Sequence, residues 1–315
     1  LSNLSAEFAV NYFSLGGMEY ATAAADGVAA DEFGRSVAID GDWIVVGSGL
    51  VEISGQALRG AAYVFRRSSA TGAWSQQAKL VAPDGQAGDQ FGSGVSISGN
   101  RIAIGSPGSN GSFPDQGAIY VFQFNADTGQ WFWIGKLLAA DGAQSDNLGG
   151  FAGGIAIDGD LILAGAVDHA NTGAAYVFRR RPISSVQIEW IQEARLTAVD
   201  GETIDQFGFS VALNGGSALI GAPGVDSGSV LDRGAGYYFT RSAAGQWSFR
   251  QKLQASAGAP FDNAGRSVAL GPTAAILGLP FADPDGPADQ GSAAAWACGD
   301  IIFADGGEDF SGCGL

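Results

Sequence analysis

Along most of this chain apolar and polar residues alternate with a period of two, in short runs separated by Gly, Asn and Asp. Residues 79–105 show the pattern most clearly. An alternating run ends near Ala82, a turn follows at Pro83-Asp84-Gly85, and an acidic loop leads through Asp89 to Phe91-Gly92. Two further runs, Val95–Ser98 and Arg101–Ile104, meet at Gly99-Asn100. Successive strand residues face opposite sides of a sheet, so period-two runs between tight-turn residues predict β-hairpins. Helical periodicity is found nowhere, and the expectation is an all-β protein.

The unit recurs. Its Phe-Gly anchor stands at Phe33-Gly34, Phe91-Gly92 and Phe207-Gly208, with degenerate copies read at Phe151-Ala152 and Ala264-Gly265, at intervals of 56–60 residues. Each anchor precedes an apolar alternation such as Val37-Ala-Ile39, and a second run that ends in glycine (Gly47, Gly105, Gly165, Gly221, Gly278). A third run opens on glycine, as in Gly60-Ala-Ala-Tyr-Val-Phe65 and Gly234-Ala-Gly-Tyr-Tyr-Phe239, and weakly in Gly291-Ser-Ala-Ala-Ala-Trp296. A fourth begins near Trp74, Trp131, Trp190 or Trp247 and ends in a Lys/Arg-Leu pair at 79, 136, 195 and 252. Fixed-period repeats of four strands predict a propeller.

The expected fold is therefore a five-bladed β-propeller of four-stranded antiparallel blades. Residues 1–17 form an N-terminal extension, 18–297 the propeller with repeats starting near 33, 91, 151, 207 and 264, and 298–315 a tail. The chain starts on an orphan fourth strand and ends on a blade that lacks one, so closure between N- and C-terminal strands is expected. Closure removes exposed sheet edges. Residues 18–25 and Ile301–Ala304 compete for the vacant place, and a strand left over could be donated to a neighbouring molecule.

The Phe-Gly starts, the Ile-Gly-(Ala/Ser)-Pro-Gly segments at 104–108 and 220–224, and the Gly-Ala-Ala-Tyr-Val-Phe strands resemble the FG-GAP repeats. Those occur in α-integrin propellers and, more closely, in large bacterial secreted and surface proteins. The resemblance implies the propeller fold. It does not bring the family's calcium site, because no repeat carries the integrin-type Asp-x-Asp-x-Asp-Gly loop. The tail Asp300-Ile-Ile-Phe-Ala-Asp-Gly306 also looks like short acidic tails of some secreted proteobacterial proteins.

Composition narrows the function classes. A net charge of −16 with three lysines argues against nucleic acid, whose phosphates need a basic surface. No apolar run is long enough for a transmembrane helix. The two cysteines, Cys298 and Cys313, fall in one short tail and are expected to form a disulfide, which implies an oxidising compartment. Such a small loop would be stabilised by about 3 kcal/mol. The start at Leu1, without methionine, suggests a leader removed on the way to an extracellular or cell-surface location.

Candidate chemistry is sparse. Aspartate pairs five apart recur at Asp26/Asp31, Asp84/Asp89, Asp141/Asp146 and Asp200/Asp205. A feature common to every copy usually serves the fold, so these are read as Asx-type turns ahead of cation ligands. The best metal candidate is Asp283, Asp285 and Asp289 around a glycine turn, with Ca²⁺ the cation such ligands suit. Copies diverge in the loops between second and third strands, and that face is the expected binding surface, with Asp226 and Asp232 in one loop and His169 in another. Trp43 and Trp133 break the repeat and join the candidates. His169, the single histidine, has no base–orienter partner in the sequence, and no nucleophile elbow or zinc spacing occurs. The reading is a non-catalytic extracellular bacterial module, structural or adhesive, that binds protein or itself. A glycan-binding lectin with sites on the variable-loop face is the alternative.

Overall fold

The computed structural model describes residues 12–13, 19–20, 23–150, 153–183, 188–256, 258–283 and 289–297. The chain divides into two compact units, Leu1–Leu138 with Gly142–Ala152, and Ala139–Asp141 with Gly153–Leu315. All sheets are antiparallel, and the fold is all-β, with five blades of the propeller type.

The first unit opens on a two-stranded ribbon, β1 (Tyr12–Phe13) against β2 (Glu19–Tyr20). Blade one is β3 (Ser36–Asp40), β4 (Trp43–Ser48), β5 (Ala61–Arg67) and β6 (Trp74–Leu80). Blade two is β7 (Val95–Ser98), β8 (Arg101–Ser106), β9 (Ala118–Asn125) and β10 (Gln130–Leu137). In the second unit, blade three is β11 (Ile155–Asp158), β12 (Leu161–Ala166), β13 (Ala174–Pro182) and β14 (Ile188–Leu196). Blade four is β15 (Ser210–Asn214), β16 (Ser217–Ala222), β17 (Ala235–Arg241) and β18 (Trp247–Leu253). Blade five has three strands among the described residues: β19 (Ser267–Leu270), β20 (Ala274–Leu279) and β21 (Ser292–Ala297). Each blade runs in sequence order, first strand to last.

One expectation needs correction and another reaches beyond the described residues. Blade five has three strands among the described residues, Glu19–Tyr20 pairs with Tyr12–Phe13, and residues 21–22 and 301–304, expected to close the blade, lie outside them. The anchor of blade three is Leu148-Gly149, and Phe151-Ala152, expected in that role, lie outside the described residues. Backbone bridges join Gly60 to Phe91, Gly117 to Leu148, Gly173 to Phe207 and Gly234 to Ala264, so Leu148 holds the anchor's position. A buried aspartate also stands two residues before each of these anchors (Asp89, Asp146, Asp205, Asp262). Extra residues between Gly149 and β11 had displaced the reading onto the next phenylalanine.

Burial follows the alternation. Within each unit, one face of a blade packs on the opposite face of its successor: Val45, Ala62 and Val64 of blade one share a core with Val95, Ile97, Ile104, Tyr120 and Phe122 of blade two. Leu163, Ala175 and Val177 of blade three likewise meet Val211, Ile220, Tyr237 and Phe239 of blade four. The recurrent glycines follow from this contact. A Cβ on Gly47 would lie 2.0 Å from the Gly92 carbonyl oxygen. At Gly60 it would lie 2.1 Å from the Phe91 carbonyl oxygen, on a backbone at φ +84° that favours glycine.

Candidate functional site

The aspartate pairs of the inter-blade linkers are a regular polar feature of the chain. The second of each pair is buried and turns the linker: Asp31 Oδ2 accepts the Val28 N–H at 2.9 Å, and Asp89, Asp146, Asp205 and Asp262 accept the equivalent amides. The first ties the linker to the blade that follows. Asp84 accepts Tyr120 Oη–H at 2.7 Å and Lys136 Nζ–H at 2.8 Å. Asp200 accepts Tyr237 at 2.8 Å and Lys252 at 2.7 Å. Asp26 meets Tyr63 and Lys79, and Asp141 meets Tyr176 and Arg195. All three lysines of the protein occupy this one place.

Electrostatics agree with a structural role. Burial works against the Asp84 charge, but the bonds from Lys136 and Tyr120 outweigh it and hold the carboxyl below its usual range. Asp200 is lowered in the same way by Lys252 and Tyr237. Burial pushes Asp89 and Asp205 up. The tyrosine hydroxyls of Tyr63 and Tyr237 are raised, first by burial and then by the neighbouring carboxylates. These carboxylates are engaged by linker amides, tyrosines and cations of their own blades.

The variable loops are braced internally. Asn110 Oδ1 accepts the Asp115 N–H at 3.0 Å, and Asp226 Oδ1 accepts the Asp232 N–H at 2.8 Å. Asp283 Oδ1 accepts the Asp289 N–H in the same manner. An Asx brace thus recurs in the loops of blades two, four and five. It engages one oxygen of Asp283, the first of the three metal candidates, while Asp285 lies outside the described residues. No cluster of three metal-capable side chains is formed among the described residues. His169 opens a short 3₁₀ turn, His169–Asn171, and its ring stands edge-on to Tyr176 with centroids 5.9 Å apart.

The two tryptophans part company. Trp43 is no loop residue. It starts β4 and packs on Phe124 and Trp131 of blade two at 4.8 and 5.3 Å, with the Arg66 guanidinium 4.9 Å from its ring. Trp133 lies on β10, the outer edge strand of blade two, and is 48% exposed. Phe132 and Ile134 on either side are exposed as well. A β-bulge after Trp133 takes Ile134 out of register, as the bulges of the other fourth strands do for Gln77, Glu193 and Arg250. The bulged position is polar in three blades and apolar in blade two. An apolar edge strand with exposed aromatic rings is an interaction feature, since unpaired edge groups and apolar side chains face the same partner.

The same unit holds a polar basin of about 410 Å³, with Arg35, Gln90, Asp115 and Asn147 among its walls. Its groups are largely self-satisfied: Arg35 pairs with Glu32 at 2.6 Å, and Asn147 Nδ2 donates to the Ser145 carbonyl.

The sequence profile of the FG-GAP repeat matches residues 21–65, 74–122, 131–178 and 190–239, together more than half of the chain. The chain belongs to the FG-GAP repeat family. A comparison with curated protein sequences found no significant match. The matches over 74–122, 131–178 and 190–239 each run from one fourth strand, through a linker, to the third strand of the next blade, and the match over 21–65 ends on the third strand of blade one. The family match stops at Phe239, before blade five. Cys298 and Cys313, the expected disulfide, lie outside the described residues. What sequence reasoning missed is the edge of β10 as a unit. Its signal was present as three consecutive apolar residues, Phe132-Trp133-Ile134, where Ser75-Gln76-Gln77 stands in blade one.

Proposed function

We propose that this FG-GAP chain is a non-catalytic extracellular interaction module of a bacterium, adhesive or structural, that engages protein partners through exposed blade edges. The observation that carries the reading is the exposed Phe132-Trp133-Ile134 edge of β10, apolar at all three positions where the other fourth strands carry Ser75-Gln76-Gln77, Ile191-Gln192-Glu193 and Ser248-Phe249-Arg250. FG-GAP propellers are generally found in secreted or surface-exposed settings, which supports the location. The acidic charge of −16 favours a protein or neutral partner over nucleic acid. The exposure of Trp133 also supports a second reading, a lectin in which the indole stacks on a sugar ring.

Two experiments separate the readings. Beads coated with the full chain are scored for attachment to the envelope of bacterial cells. Attachment that disappears in a Phe132→Ser/Trp133→Ser variant of unchanged melting temperature is the expected result, and attachment indifferent to that change refutes the proposal. Dose-dependent binding on a glycan array, lost in Trp133→Ala, transfers the function to the lectin.

A further inference from the structure

Two asparagines of the chain precede glycine, Asn110 and Asn214. An asparagine so placed is chemically labile, because the backbone nitrogen of the next residue attacks its side-chain carbonyl and glycine has no Cβ to obstruct the approach. The two steps sit in opposite surroundings. Asn110-Gly111 lies in the variable loop of blade two, where Asn110, Gly111 and Ser112 are all exposed to water. The Asn110 side-chain carbonyl is held and polarised, since its Oδ1 accepts the Asp115 N–H at 3.0 Å. The attacking nitrogen is only weakly held, for the Gly111 N–H reaches the Phe113 carbonyl at 3.3 Å, a long bond.

Asn214-Gly215 makes the turn between β15 and β16, with Asn214 paired to Ser217 across the hairpin. Here the Gly215 N–H donates to the Asp158 carboxylate at 2.6 Å, a short charge-assisted bond. Ring closure requires that nitrogen to give up its proton, and a carboxylate beside it opposes the negative charge that would form. The linker aspartates Asp84 and Asp200 also precede glycine. Burial opposes their charge, but their Lys and Tyr partners keep them ionised, and an ionised carboxylate offers no leaving group. Asn110 is thus the Asn-Gly step whose surroundings leave the reaction open.

We propose that Asn110 is a site of spontaneous covalent modification, converted to aspartate and isoaspartate through a cyclic imide closed by Gly111, while Asp158 protects Asn214 from the same reaction. In the first step the Gly111 nitrogen bonds to Asn110 Cγ and the Cγ–Nδ2 bond breaks. The proton of the Gly111 nitrogen leaves with the side-chain amine as ammonia. The Asp115 N–H stabilises the negative oxygen of the tetrahedral intermediate, as an oxyanion-hole donor does. Water then opens the imide. Attack at Cγ leaves aspartate, and attack at the backbone carbonyl leaves isoaspartate, with the chain running through Cγ. The aspartate product keeps the loop, because Asp226 and Asp283 hold the same place in blades four and five and brace the Asp232 and Asp289 amides. The isoaspartate product lengthens the backbone by one carbon and loses that brace. Either product adds a negative charge to a loop that lies against Leu138, where a Cβ on Gly111 would be 3.3 Å from Leu138 Cδ1.

The full chain is tested by incubation in warm, mildly alkaline buffer, both folded and in urea. Peptides covering the two Asn-Gly steps are followed by mass spectrometry, and an isoaspartate methyltransferase counts the isoaspartyl product. In the folded chain the Asn110 peptide is expected to gain the mass that separates a carboxyl from a carboxamide, while the Asn214 peptide stays unchanged. In urea, where both surroundings are lost, the two peptides should convert at similar rates. Asp158→Ser takes the carboxylate away from Gly215 and is expected to speed conversion of folded Asn214 by about tenfold, a barrier lower by about 1.4 kcal/mol. A folded Asn110 that converts no faster than folded Asn214 overturns the proposal, and so does a folded Asn214 that Asp158→Ser leaves unchanged.

Discussion

Blades four and five lie in the same unit, on the same strand plan, and differ in what is stripped away. Blade four has a phenylalanine anchor, Phe207, fully buried against Tyr237 and Phe239 with ring centroids 5.3 and 6.2 Å away. Its linker is tied by Asp200 to Tyr237 and Lys252. Blade five replaces the anchor by Ala264, the tyrosine by Ala294 and the aspartate by Ala257, and keeps only the turn-forming Asp262. The same backbone contact, Gly234 against Ala264, survives. Blade geometry therefore depends on the glycine approaches and the buried alternation. The aromatic anchor and the ion-paired tie supply stability on top of that geometry.

If that division is right, the largest single effect should come from making blade four's anchor resemble blade five's. Phe207→Ala removes a fully buried ring and leaves a cavity, at an expected cost of about 3–5 kcal/mol. Urea unfolding followed by tryptophan fluorescence measures it. A loss of well under 1 kcal/mol would mean that the ring is not what separates the two blades.

The glycines sharpen the contrast next. A Cβ on Gly221 would lie 1.9 Å from the Gly265 carbonyl oxygen, which is backbone of the following blade. On Gly278, the same position in blade five, the closest atom is the Ser267 hydroxyl oxygen of its own sheet, which can rotate away. Gly221→Ala is expected to cost about 1–3 kcal/mol by overpacking. Gly278→Ala should cost clearly less, because that hydroxyl can turn aside. Equal losses from the two substitutions would show that the docking of one blade on the next does not set the requirement for glycine.

Most of the strand plan was legible because each strand carries its own period and punctuation. The Lys/Arg-Leu ends, the Gly-Ala starts and the terminal glycines all fell inside strands or at their ends. Blade three's anchor was not legible, since Phe151 offers the bigger apolar side chain and Leu148 the right position. Only Asp146, two residues earlier, marked it. Trp43 and Trp133 looked alike as breaks in the repeat. What distinguishes them is whether a neighbouring blade covers the strand, which alternation within one strand does not encode.

The smallest effect concerns the tie itself. Asp200→Asn keeps the shape of the side chain and removes the charge that Lys252 and Tyr237 hold, at sites partly open to solvent, so about 1 kcal/mol or less is expected near neutrality. Its pH dependence identifies the cause. The Asp200 carboxyl is below its usual range in the folded chain, so the unfolded chain takes up the proton first as the pH falls. Its contribution is therefore complete above the unfolded carboxyl value of about 3.9 and is lost as the pH drops through the folded value. Asp205 works in the opposite sense. Burial raises it, so its contribution is present below the unfolded value and is lost as the pH rises through the folded one. Urea midpoints of wild type and Asp200→Asn should therefore differ at pH 7 and converge below about pH 4. Asp205→Asn also loses the amide brace to Glu202, but its gap from wild type should not close over that interval. Parallel wild-type and Asp200→Asn curves across the whole range would mean that the tie acts through shape and not through charge, and blade five's alanines would then differ from blade four only in packing.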